Sequence, residues 1–261
     1  MQGAPPLAPA LAPAGAAPAG PGQPETLLLH PAPGAPPTAC ALLWRRSARA
    51  RLVSLRIEPV AGAVLVTLPA SLAPAAGRRA GLALLRRHAG WVAARLAALA
   101  PPLRLGPGAA VRLGDVPHPI CHRPGHAGPA ALRQGGILVG GAAETLPTQV
   151  LELLRDEASR RIRARVRRHA ARLGLAPRAV RLKDTRSRWG SCAPDGTLAF
   201  SWRLVMAPDW VLDHVVAHEV AHLQELNHSP RFWAVLAALN PHRDAAQAWL
   251  RRHGPGLLRV G

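Results

Sequence analysis

Tyrosine is missing altogether from this chain, and lysine occurs once, as Lys183. Any chemistry it performs therefore proceeds without a phenolic hydroxyl. Cysteine is scarce: Cys40, Cys121 and Cys192 make up the total of 3, and no CxxC pair is present. That excludes a paired disulfide framework and a cysteine zinc site, and it fits a reducing cytoplasm. No stretch of about 18 apolar residues runs uninterrupted by arginine or proline, so no membrane span is expected. The opening MQGAPPLAPALAPAG lacks a basic segment and breaks each apolar run with proline, so no secretory leader is expected either.

Acidic residues are also few, 14 against 33 basic ones, which gives a formal net charge of +19. Nearly all of the positive charge is arginine. Beside the abundance of Ala, Pro and Gly, this is the composition that a GC-rich genome produces without selection for binding. The field nevertheless acts: so basic a surface attracts anions over long range and in a salt-dependent way, which makes nucleic acid a candidate partner on charge alone.

The length suits one functional unit with an accessory half, since domains run to roughly 100 to 200 residues. Residues 1–40 read as a disordered Ala/Pro-rich tail, without periodicity and nearly without charge. Residues 41–145 read as an N-terminal α+β region. In it LVSLRIEP and AVLVTLP form a β-hairpin, a helix covers about Arg78 to Leu99, and short strands punctuated by Gly and Pro follow. His118, His122 and His126 recur every four residues there, but Pro117, Pro119 and Pro124 forbid the helix that would align them. Residues 146–254 form the candidate catalytic region. It opens with a long helix from Leu146 to Leu173, Leu153, Ile162, Val166 and Leu173 inward, ended by Gly174. Strands and a Pro194–Asp195–Gly196 turn follow. Residues 255–261 are a C-terminal tail.

The segment WVLDHVVAHEVAHLQEL carries the chemistry. On a helix starting near Pro208, His218 and His222 lie about 40° apart around the axis and about 6 Å along it, so one ion can bind both. Glu219 is displaced by about 100°, where its carboxylate reaches a metal-bound water without taking a coordination position. Catalytic zinc takes three protein ligands and a water, so a third ligand must come from beyond the helix. His228 is the best placed, with the chain turning at Leu226 and Asn227, where asparagine tolerates a left-handed backbone; Glu225 and Asp244 are carboxylate alternatives. His214 shares the face, but about 12 Å separates it axially from His222, too far for one ion. It suits an indirect or oxyanion-stabilising role. The residues alone thus point to a zinc-dependent hydrolase.

RSRWGSC, LAFSWRLVMAP and HEVAHLQELNHSPRFW together resemble the YgjP-like metallopeptidases, relatives of the SprT and WLM metalloproteases. The resemblance runs from about Arg46 to Gly254 and is strongest from Lys183 onward. It implies a zincin-like α+β fold, an active-site helix under a small antiparallel or mixed sheet, preceded by the hairpin-and-helix region. It also implies Zn2+ on His218, His222 and His228, with Glu219 as the base. Phe232 and Trp233 then pack the next helix under the site. Many zincins use a tyrosine for the oxyanion; here that task falls to His214, to Arg186 or Arg188, or to the metal alone. A peptide would lie along the edge strand Trp189, Gly190, Ser191 and Cys192. A metzincin would have glycine in place of Glu225 and a downstream methionine turn, and neither is present. The SprT and WLM relatives also allow an alternative, a nucleic-acid-associated protease or a DNA-binding protein with structural zinc.

Overall fold

The computed structural model describes residues 24–185 and 188–261. The expectation of a disordered tail over residues 1–23, and that for Arg186, lie outside the described residues. The chain divides between Ala100 and Pro101 into two compact units.

The first unit holds β1 (Glu25–Leu29), β2 (Thr38–Ser47), β3 (Ser54–Glu58), β4 (Ala63–Pro69), α1 (Pro74–Arg87) and α2 (Ala89–Ala97). Its sheet runs β1-β2-β4-β3, with β2 and β4 parallel. The hairpin is the β3–β4 pair, and the expected single helix is two, parted at His88. The stretch assigned to the tail reaches further into the fold than its composition suggested. ETLLL pairs along β2, and Glu25 accepts hydrogen bonds from Trp44 and Arg78, which gives this apolar segment both a ladder and an anchor. Leu42, Val64, Val66, Leu85 and Val92 form the core.

The second unit begins with β5 (Ala110–Leu113), β6 (Val116–His122), β7 (Ala131–Arg133) and β8 (Gly136–Val139), a sheet of order β5-β6-β8-β7. Then come α3 (Leu146–Leu173), β9 (Ala179–Lys183), β10 (Gly190–Cys192) and β11 (Thr197–Ser201), a 3-10 turn at Trp202–Met206, and α4 (Asp209–Ala221), α5 (Pro230–Leu239) and α6 (Arg243–Leu257). The second sheet has the order β10-β11-β9, which leaves β10 at an edge. Val111, Ile120, Ile137 and Val139 share one core with α3 and α4, so β5–β8 belong with the helices that follow them, and the break falls at residue 100 instead of 145. The C-terminal residues are also built in: α6 continues to Leu257, and Val260 bridges to Leu103.

α3 buries Leu146, Val150, Leu154, Ala158, Ile162, Val166 and Ala170, a stripe of strict four-residue spacing, while Leu153 and Leu173 are only partly covered. Gly174 closes it with φ of 66°, a left-handed cap that glycine adopts freely. α4 is apolar nearly all round because neighbours enclose it: α3, α5, α6 and β10 all pack on it. His214 and Glu219 on this helix are accordingly buried, at 3% and 7% exposure. No helix among the described residues is long and apolar enough to cross a membrane.

Candidate metal centre

His218 and Glu219 come from the last turns of α4, and His222 caps its C-terminus. Beyond it the chain leaves the helix through tight bonds from Leu223 N to Val220 O and Gln224 N to Ala221 O. It then turns at Asn227, whose carbonyl accepts from Ser229 N at 2.8 Å. Asp115 is the one described non-glycine residue with positive φ, so Asn227 makes this turn through its carbonyl and not through the left-handed conformation expected of it. Ser229 then caps α5, its hydroxyl accepting from Phe232 N, and this cap sets His228 facing back to α4.

The outcome is convergence. One nitrogen from each of His218, His222 and His228 lies within 4.8 Å of the others. His218 Nε2 and His228 Nε2 are 3.1 Å apart, and the His222 Nδ1–H donates to the Glu225 carbonyl at 3.0 Å. That anchor leaves the His222 Nε2 lone pair free, the arrangement in which a backbone carbonyl orients a metal-binding imidazole. Aromatics of α5 clamp the rings: Phe232 stacks on His222 at 4.5 Å, and Trp233 stacks on His228 at 5.3 Å. Burial, then the neighbouring His222, His228 and His214 and the Arg243 charge, drive His218 down to about 3. His222 is lowered as well, first by burial. Neutral imidazoles are the form that binds a metal. Glu225 contributes a carbonyl, the Asp244 carboxylate is 97% exposed, and neither joins the converging group. His118, His122 and His126 form no such group among the described residues.

Glu219 packs against β10. A Cβ placed on Gly190 would stand 2.5 Å from Glu219 Cγ and 2.6 Å from its Oε1. The side chain is only 7% exposed, and burial pushes its carboxyl up to about 7 against the opposing charge of Arg188. Arg188 itself is exposed. Trp189 turns its indole toward α6, where a Cβ on Gly254 would meet it at 2.8 Å.

A match to the metallopeptidase domain of the YgjP-like family spans residues 51–253. The chain belongs to this family. It therefore carries a metallopeptidase domain, and the three imidazoles are the described group able to hold its divalent metal. Among solved structures, the metallopeptidase zymogen abylysin of Pyrococcus abyssi is similar at 18% identity, over 36% of this chain and 92% of that one, with a TM-score of 0.32. No curated protein matches the sequence.

One part of the YgjP-like site has no motif in the sequence. Asn240, at the end of α5, donates from Nδ2 to Asp213 Oδ2 at 2.9 Å, while its Oδ1 accepts from His242 N at 3.0 Å. With the amide oriented by those two bonds, its Oδ1 must accept from His214 Nδ1–H, 3.2 Å away. Burial lowers His214, which leaves a neutral ring with a lone pair at Nε2 and no N–H to offer an oxyanion. Asp213 in turn receives His169 at 2.9 Å and Arg168. Asn240, His169 and Arg168 are 27, 44 and 45 positions from Asp213, and no spacing rule announces them.

Burial pushes the Asp213 carboxyl up, but His169, Asn240 and Arg168 outweigh it and hold the group below its ordinary 3.8. Its contribution to stability is therefore complete above the unfolded-state value and is lost as pH falls through the depressed one. Asp213→Ala is expected to cost about 1–3 kcal/mol in urea unfolding at neutral pH. The deficit should shrink in acid as the wild-type carboxyl protonates; a deficit independent of pH would contradict the ionic account.

Proposed function

We propose that this YgjP-like chain is a zinc-dependent peptidase in which His218, His222 and His228 hold the ion and Glu219 is the general base. The observation that carries the reading is the gathering of three imidazole nitrogens within 4.8 Å, beside a buried carboxyl that is not among them. The donor set suits zinc: three converging imidazole nitrogens, one ring oriented by a backbone carbonyl. Bound there, the ion would supply Lewis acidity to the scissile carbonyl and to a water molecule.

The protein's own groups do the rest. Glu219 takes the proton of the attacking water on its carboxylate and passes it to the leaving amine nitrogen, a two-way transfer favoured by a value of about 7. Arg188, whose charge reaches Glu219, faces the developing oxyanion, a task that neutral His214 lacks the proton to perform. The peptide pairs antiparallel with β10, so backbone hydrogen bonds supply affinity at an edge with an open side.

Metal analysis tests the ligand set. The wild type is expected to carry about one zinc per chain, and chelation is expected to stop peptide cleavage until zinc is returned. His228→Ala should weaken zinc binding by at least about 100-fold, more than the loss of a ligand's hydrogen-bond partner. Glu225→Ala and Asp244→Ala should leave it unchanged. Undiminished zinc in His228→Ala would hand the third position to one of those carboxylates.

A further inference from the structure

Arg243, the first residue of α6, was marked by no motif. Its guanidinium carbon lies 3.6 Å from the centroid of the Trp233 ring. Trp233 stacks on His228 with an interplanar angle of 18° and meets His218 edge-on at 6.3 Å. A fixed positive charge thus stands one indole away from the imidazole cluster. Among the described residues the carboxylate it meets is that of Asp244, at 4.0 Å and almost wholly in solvent, a contact of little energetic weight. Stacking on an indole holds the guanidinium plane and leaves its in-plane N–H edge free to fork onto a carboxylate.

We propose that Arg243 is a specificity-determining residue that receives a carboxylate of the peptide substrate. Two sources share that chemistry: a free C-terminus and an acidic side chain next to the scissile bond. The position favours recognition over catalysis, because the cation lies beside the ligand cluster and not against Glu219. Its field nonetheless extends into the site, since it contributes to lowering both His214 and His218. Lysine would keep the charge but lose the planar fork and much of the stacking. The inference rests on the peptidase reading.

The deciding experiment measures binding of three fluorescently labelled peptides of one sequence to the full chain. One has a free C-terminus, one is amidated, and one is amidated with a glutamate beside the scissile bond. A Glu219→Gln background keeps bound peptide intact. One carboxylate form is expected to bind about tenfold or more tightly than the neutral peptide, as a charge-assisted hydrogen bond gives; which form does so identifies the source. Arg243→Gln should remove the preference, and Arg243→Lys should retain part of it. In the active chain, Arg243→Gln should raise KM for the preferred peptide, leaving its kcat and the amidated peptide's KM in place, a split that a structural role would not produce. Equal binding of all three peptides, or a preference surviving Arg243→Gln, overturns the assignment. Cleavage of all three without preference removes Arg243 alone, whereas no cleavage by the active chain removes the peptidase reading beneath it.

Discussion

Glu219→Gln is expected to lower peptide cleavage by about a thousandfold or more, within the range assigned to general acid–base catalysis, while zinc stays bound. Glutamine has nearly the same shape, so it fits the slot against Gly190 that Glu219 fills. It is neutral, and the burial that raises the Glu219 carboxyl to about 7 penalises only a charged form, so the substitution relieves desolvation and should not weaken the fold. What it removes is the ability to accept a proton. The imidazoles are untouched, and zinc content should equal that of the wild type. Cleavage within about tenfold of the wild type would remove Glu219 from the role of base; lost zinc with lost cleavage would mean that the carboxylate is a ligand.

The sequence carried the helix of the site almost in full. His218, Glu219 and His222 lie within little more than one helical turn, and helical geometry alone fixes their relative directions. Gly174 and the β3–β4 hairpin were legible for the same reason: the signal and its consequence are local. What was not legible is long-range. The partners of Asp213 lie on α3 and at the end of α5, and only packing brings them together. The tail boundary was misplaced because ETLLL has the composition of its surroundings, and its strand character comes from the register with Thr38–Leu42. The net charge of +19 was the most ambiguous signal of all. On α3 several arginines have partners within the protein: Arg160 and Arg161 hold Glu157, Arg165 holds Asp209, and Arg172 donates to the carbonyls of Ala238 and Leu239. Arginines so engaged need no nucleic acid to explain them.

The second large effect is expected at Gly190, where the sequence offered a strand residue and the structure gives a reason for glycine. Its backbone is ordinary, since it is not among the positive-φ glycines, so alanine can adopt it without strain and the constraint is space. A methyl group there would stand within 2.5–2.8 Å of Glu219 Cγ, Oε1 and Cδ, closer than side-chain carbons approach anything. Either β10 lifts off or Glu219 swings away. β10 is held to β11 by paired backbone bonds, and Trp189 is held behind it by the bond from Ser201 N at 2.9 Å, so the side chain is the softer partner. Cys192, two residues along the same face of the strand, is raised by burial and then by the Glu219 charge, which places the carboxylate along this face of β10. Gly190→Ala should therefore lower kcat by about 100-fold, the effect of moving a reacting group by about 1 Å. Zinc content should hold, because the atoms nearest the added methyl group all belong to Glu219 and none to a histidine. Overpacking should also cost about 1–3 kcal/mol of stability, so the assay belongs at a temperature where the variant remains folded. In a double-mutant cycle with Glu219→Gln, the two losses should be strongly non-additive, since a displaced base and an absent one are equivalent. Additive losses, or a kcat within about threefold of the wild type, would mean that β10 does not set the position of Glu219.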